Sequence, residues 1–268
     1  MNQQNAEYLQ NLLKFTGFGE GMQEELQTRL QEQKPEFTLQ HRSQIGTDQV
    51  EASLLFRKSD QSDMYFFNRF YLKLKDENGA EDFTQSFPIS REHSFTLKEA
   101  YNLMKGRSVH KELRSRAGEN YQAWLKLDFR EKDDYGNFKM IQYHQNYGYD
   151  LKQVLAKYPI REMESPQTAQ SLVRSLERGN RQSVTMTVEG RDQKLFVEAS
   201  PQFKSLNVFN SQFLKINVHA QKQNDTEIQA WPDLSQGIQP IKPKGPEPDD
   251  PMQNQERKIS KKHKQDLR

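Results

Sequence analysis

Tyr121-Gln-Ala-Trp-Leu-Lys-Leu-Asp-Phe129 and Phe138-Lys-Met-Ile-Gln-Tyr143 are two runs of strand-forming residues. Between them lies Asp133-Asp-Tyr-Gly-Asn137, a cluster that favours a tight turn. The segment predicts a β-hairpin with bulky side chains on both arms. Trp124, Leu125 and Leu127 suit a core, because alternating aromatic and aliphatic residues on a strand are ordinary packing groups. On the N-terminal side, Arg107, His110, Lys111, Arg114 and Arg116 precede the hairpin, and Tyr143, His144, Tyr147 and Tyr149 follow its return arm. This interleaving supports a second reading, in which rings stack on unpaired bases and cations meet phosphates.

Upstream of the hairpin the same logic recurs. Tyr8, Leu9, Leu12 and Leu13 are spaced as one face of a helix that ends at Gly17. A second helix runs from about Glu20 to Gln33, with Met22, Leu26 and Leu30 on one stripe and Pro35 as its stop. The glycines of Gly17-Phe-Gly19-Glu-Gly21 fit a helix-to-helix turn. They follow a helix and lack a Lys-Ser/Thr ending, so they do not form a phosphate loop. Strands are expected around Phe37 and Leu39, over Val50–Phe56, over Tyr65–Lys75 with imperfect alternation, and over Phe83–Ile89. Asp76-Glu-Asn-Gly79 supplies a hairpin turn. Thr96 and Glu99 make a capping box for a helix to Met104.

Downstream, Asp150 caps a helix to about Tyr158, and Ser165 or Pro166 opens another that reaches Arg178 before Gly179. Val184–Val188, Lys194–Ala199 and Leu206–Phe209 read as strands. The fold class is therefore α+β: an N-terminal helical hairpin, two antiparallel sheet modules with packed helices, and a disordered C-terminal tail. The expected modules are 1–105 and 106–219, with a proline-rich basic tail over 220–268. That tail ends in Arg257, Lys258, Lys261, Lys262, Lys264 and Arg268 against Glu256 and Asp266, which suits either solubilisation or contact with nucleic acid.

Composition narrows the chemistry. The 268 residues carry 39 basic and 37 acidic side chains, so no global field draws the whole surface onto nucleic acid or lipid. Mean hydropathy is -1.04, polar enough that part of the chain is expected to lie outside any core. The absence of cysteine removes disulfides, thiolate catalysis and thiolate metal sites. The six histidines are dispersed, so neither a metal nor a cofactor is expected. Glu131, Asp133 and Asp134 lack the order of a calcium loop and read as a solvated turn. With no basic start followed by an apolar run, and no long apolar stretch, a cytoplasmic protein without membrane contact is expected.

Two longer phrases point to a family. Phe95-Thr-Leu-Lys-Glu-Ala-Tyr-Asn-Leu-Met-Lys-Gly-Arg-Ser-Val-His-Lys-Glu-Leu113 and Gly118-Glu-Asn-Tyr-Gln-Ala-Trp-Leu-Lys-Leu-Asp-Phe129 resemble accessory proteins of unknown function encoded on conjugative transposons and plasmids of gut anaerobes. Gln145-Asn-Tyr-Gly-Tyr-Asp-Leu151, Ala156-Lys-Tyr-Pro-Ile160 and Gly179-Asn-Arg-Gln-Ser-Val184 extend the resemblance, as do Glu198–Lys204, Phe15–Gly19 and Lys58–Phe67. The resemblance implies a setting, DNA transfer and processing, and carries over no catalytic residue.

The leading expectation is a non-enzymatic accessory binding protein of a mobile genetic element, with DNA or a DNA-processing protein as partner. Its binding residues would be Arg107, His110, Lys111, Arg114, Arg116, Tyr121 and Trp124, with the tail cations Lys258, Lys261, Lys262 and Lys264. The alternatives are a small enzyme acting on nucleic acid through His110, Arg107 and Trp124, and a purely structural interaction module. Gathering of His110, Arg107, Tyr121 and His144 in one concavity would favour the enzyme, and a flat basic sheet face would favour binding.

Overall fold

The computed structural model describes residues 2–74, 83–90 and 94–218, and the backbone of 228–230. The Asp76–Gly79 turn, His93, His219 and the tail cations lie outside the described residues.

The first layer is helical. Helices α1 (Gln3–Phe15) and α2 (Gln23–Gln31) form the expected hairpin, turned by Gly17 at φ +89° and Gly19 at +78°. They bury Leu9, Leu13, Leu26 and Leu30 against a four-stranded antiparallel meander, β1 (Glu36–Ile45), β2 (Asp48–Lys58), β3 (Tyr65–Leu74) and β4 (Phe83–Pro88). At about 1.5–3 kcal/mol for each large side chain removed from water, these four leucines are a substantial anchor. The imperfect alternation of β3 has a local cause. A shift in its register with β2 at Leu55/Phe56 moves the inward set from Tyr65 and Phe67 to Phe70, Leu72 and Leu74. The Asn5 side-chain amide extends the pairing of β3, donating to Tyr65 O and accepting from Tyr65 N.

Helix α3 (Leu97–Met104) opens on the expected capping box, with Thr96 Oγ1 accepting from Glu99 N and the Glu99 carboxylate accepting from Thr96 N. A second sheet follows: β5 (Val109–Arg114), β6 (Asn120–Lys132) and β7 (Phe138–His144). β5 is a strand that its sequence conceals, because Lys111 occupies an inward position between Val109 and Leu113. Its ammonium is matched there by Glu99 at 3.1 Å. The second sheet is tied to the first by the Gln85 amide, which accepts from Phe138 N and donates to Phe138 O.

Helices α4 (Leu151–Leu155) and α5 (Pro166–Glu177) lead into a third antiparallel meander. It comprises β8 (Gln182–Val188), β9 (Arg191–Ser200), β10 (Ser205–Phe209), β11 (Lys215–Val218) and β12 (Ile228–Ala230). The outer edge of β8 is covered: Thr185 N donates to the Glu162 carboxylate and Thr187 N to Pro159 O.

The α+β class and its helical hairpin are as expected, and the strands form three sheets. The middle sheet contributes to a core on each face. Val109, Leu113, Ala123, Leu125 and Leu127 join the first core, whereas Trp124 and Tyr143 belong to a second core with α4, α5 and the third sheet. Among the described residues no helix is long and apolar enough to cross a membrane.

β12 lies inside the segment that composition assigns to the tail, and pairs with β11 through Ile216↔Ala230 and Val218↔Ile228. Deleting 232–268 is therefore expected to leave the melting midpoint unchanged. A deletion beginning at residue 221 should lower it by a few degrees through loss of the edge strand. Equal midpoints for the two truncations would show that β12 contributes nothing.

Candidate binding cleft on the middle sheet

Strand pairing builds the site. His110 on β5 stands opposite Trp124 on β6, and Trp124 stands opposite Tyr143 on β7, so three rings form one row across the sheet. The His110 and Trp124 ring centroids are 5.0 Å apart. After β7 a 3-10 turn (Gln145–Tyr147) ends at Gly148, φ +81°, and the chain folds back so that Tyr149 meets Trp124 edge-on at 5.4 Å. Asp150 then caps α4, accepting from Lys152 N and Gln153 N. The far wall is the C-terminal end of α5, which brings Glu177 beside His110.

The result is a cleft of about 370 Å³, within the usual size range of small-ligand sites. Its rings are nearly closed off: Trp124 is 6% exposed, and Tyr143 and Tyr149 are 8% exposed each. Burial pushes the His110 imidazole below its ordinary value, while the Glu177 charge pulls the other way. The net direction leaves a neutral ring at pH 7, able to donate through one nitrogen and accept through the other. Burial also raises the Tyr149 phenol well above its usual value.

Strand alternation divides the residues that the sequence singles out. His110 and Trp124 share the cleft, and Arg114 lies on the same sheet face toward the exposed end of β5. Lys111 and Tyr121 point the other way, Lys111 to Glu99 and Tyr121 to a stack with His144 at 5.1 Å. Arg107 precedes β5, with its guanidinium over the Tyr101 ring at 5.2 Å and its Nε and Nη2 buried without a hydrogen-bond partner among the described residues. Arg116 is exposed in the turn after β5. Among the described residues there is thus neither a flat basic face nor a concavity joining His110, Arg107, Tyr121 and His144. Asp133 and Asp134 stand apart in the solvated turn expected of them, Asp133 accepting from Tyr135 N and Asn137 N, whereas Glu131 is still on β6 and pairs with Lys139 at 2.9 Å.

The chain matches no family model, no curated protein and no solved structure. Sequence reasoning missed Glu177, Gln145 and Lys152, because nothing in linear order connects the end of α5 or the start of α4 to β6. One signal was present: Glu177 is an acid at a helix C-terminus, where the dipole favours cations. Among the described residues the Glu177 carboxylate, the Trp124 indole N–H, the Tyr143 hydroxyl and the Gln145 amide make no hydrogen bond, although all four border the cleft. Neither the indole nitrogen nor the phenol oxygen is sealed from solvent, so both are open to a ligand in the cleft.

Proposed function

We propose that the protein is a non-enzymatic accessory binding protein that engages a protein partner through the cleft on the middle sheet, in the setting of DNA transfer or maintenance by a mobile genetic element. The observation that carries this reading is the convergence of unpartnered polar groups on one preformed, aromatic-walled cleft. Such groups supply orientation and specificity to a ligand.

Two features argue for binding over turnover. Among the described residues no serine or threonine lines the cleft, and Arg107, expected beside His110 in an enzyme, is turned onto Tyr101 instead. A protein partner is favoured over nucleic acid because Glu177 and Asp150 repel phosphate, and Trp124, Tyr143 and Tyr149 are too buried to stack on a base. The nucleic-acid route rests with Lys258, Lys261, Lys262 and Lys264, which lie outside the described residues, and with Arg114 and Arg116.

Affinity capture from the native host, with nuclease treatment as control, tests the reading. Gln145→Trp fills the cleft mouth from an exposed position and is expected to remove a nuclease-resistant partner that the parent protein retains. Partners lost on nuclease treatment alone would favour the nucleic-acid route, and identical capture by the two proteins would exclude the cleft.

A further inference from the structure

We infer that the cleft takes the guanidinium side chain of an arginine presented by the partner polypeptide. The inference deepens the binding reading and rests on it.

Charge sets the sign of the ligand. Glu177 and Asp150 outnumber Lys152 on the walls. Asp150 spends one oxygen on capping α4, whereas both oxygens of Glu177 are without partners among the described residues. Glu177 also sits at the negative end of α5, where a carboxylate is electrostatically disfavoured and a cation would relieve the repulsion. Arg174 and Arg178 stand on the same helix end, and neither forms an ion pair with it among the described residues.

Shape and chemistry choose among cations. A guanidinium is flat, is weakly hydrated, and presents paired N–H donors that match a carboxylate. The cleft runs beside the His110–Trp124–Tyr143 row, whose rings favour a cation near them, and a weakly hydrated plane enters it at less cost than a hydrated ammonium. Two groups are left for the chain that carries the arginine: the indole N–H of Trp124 donates to a peptide carbonyl, and the Gln145 amide does either. The same chemistry occurs within the fold at Arg181. The Arg181 guanidinium lies 4.3 Å from the Phe209 ring centroid and 5.2 Å from that of Phe213, and its Nε donates to Glu198 at 2.7 Å.

The test uses the full chain with Trp231→Phe, which leaves Trp124 as its one tryptophan. Titration with N-acetyl-arginine amide should produce a saturable change in tryptophan emission and shift the His110 ring protons. The citrulline analogue, flat but uncharged, should bind about tenfold or more weakly. Glu177→Gln should weaken the arginine probe by a similar factor without lowering the melting midpoint, and Lys152→Ala should tighten it. No response in either signal, equal response to citrulline, indifference to Glu177→Gln, or preference for adenosine monophosphate or a single-stranded oligonucleotide would each overturn the inference. If the arginine probe fails while capture of the protein partner still depends on an open cleft, the guanidinium assignment falls and the binding reading stands.

Discussion

Gly179→Ala is expected to lower the melting midpoint by on the order of 10 °C. Gly179 follows α5 at φ +78°, a conformation that costs a residue with a side chain about 1–3 kcal/mol. Space is the larger obstacle. A Cβ there would stand 2.8 Å from Val109 Cγ2, 2.9 Å from Ser108 O and 3.1 Å from Asn102 Cβ. Two of these are backbone or a stiff branched side chain, and the third belongs to a fully buried asparagine whose Nδ2 donates to Arg178 O and Asn180 Oδ1. Shifting this group disturbs the Asn102 hydrogen bonds or the packing of Val109, so overpacking adds about 1–3 kcal/mol. The sum of about 2–6 kcal/mol is a large part of a typical total stability and corresponds to roughly 4–24 °C for a chain of this size. Gly190→Ala is the control, since Gly190 has φ +70° with nothing within 4 Å of its added Cβ. A Gly179→Ala protein melting within two or three degrees of Gly190→Ala, taken as about 1 kcal/mol of difference, would show that this joint is loose.

The same joint shows why some of the fold could be read from the chain and some could not. Local signals survived intact: the Thr96–Glu99 capping box, the Gly17–Gly19 turn, the Asp150 cap and the Asp133–Asn137 turn are set by residues a few positions apart. β5 escaped because Lys111 breaks its apolar alternation, and only the fold reveals the Glu99 carboxylate that makes an inward lysine tolerable. β11 is four residues long, too short for a period to show. At the site, the sequence placed His110 and Trp124 near each other, and cross-strand pairing brings them into contact. It also grouped Lys111 and Tyr121 with them, since closeness in sequence does not report which face of a strand a side chain occupies. Glu177 is some 50 residues from Trp124 in sequence, and its place on the cleft follows from the close approach of Gly179 to Val109 and Ser108.

Trp124→Ala is expected to cost about 3–5 kcal/mol, the usual range for removing a large buried aromatic. Its indole contacts His110 and Tyr149 and belongs to the second core, while its strand neighbours Ala123 and Leu125 belong to the first. Truncation would therefore loosen the second core where it meets the middle sheet. The cleft beside it admits water, which softens the cavity penalty and puts the lower end of the range within reach. Trp124→Phe retains most of the apolar area and should cost about half as much or less, while losing the indole N–H that faces the cleft. Chemical denaturation of the two variants separates a core residue from an exposed stacking platform. A platform residue would leave stability near the parent value and reduce single-strand binding by about 1–3 kcal/mol. The buried position requires the opposite order: a large loss of stability in Trp124→Ala, with binding changes that follow from partial unfolding. A Trp124→Ala protein as stable as its parent that binds single strands less well would return the nucleic-acid reading to first place.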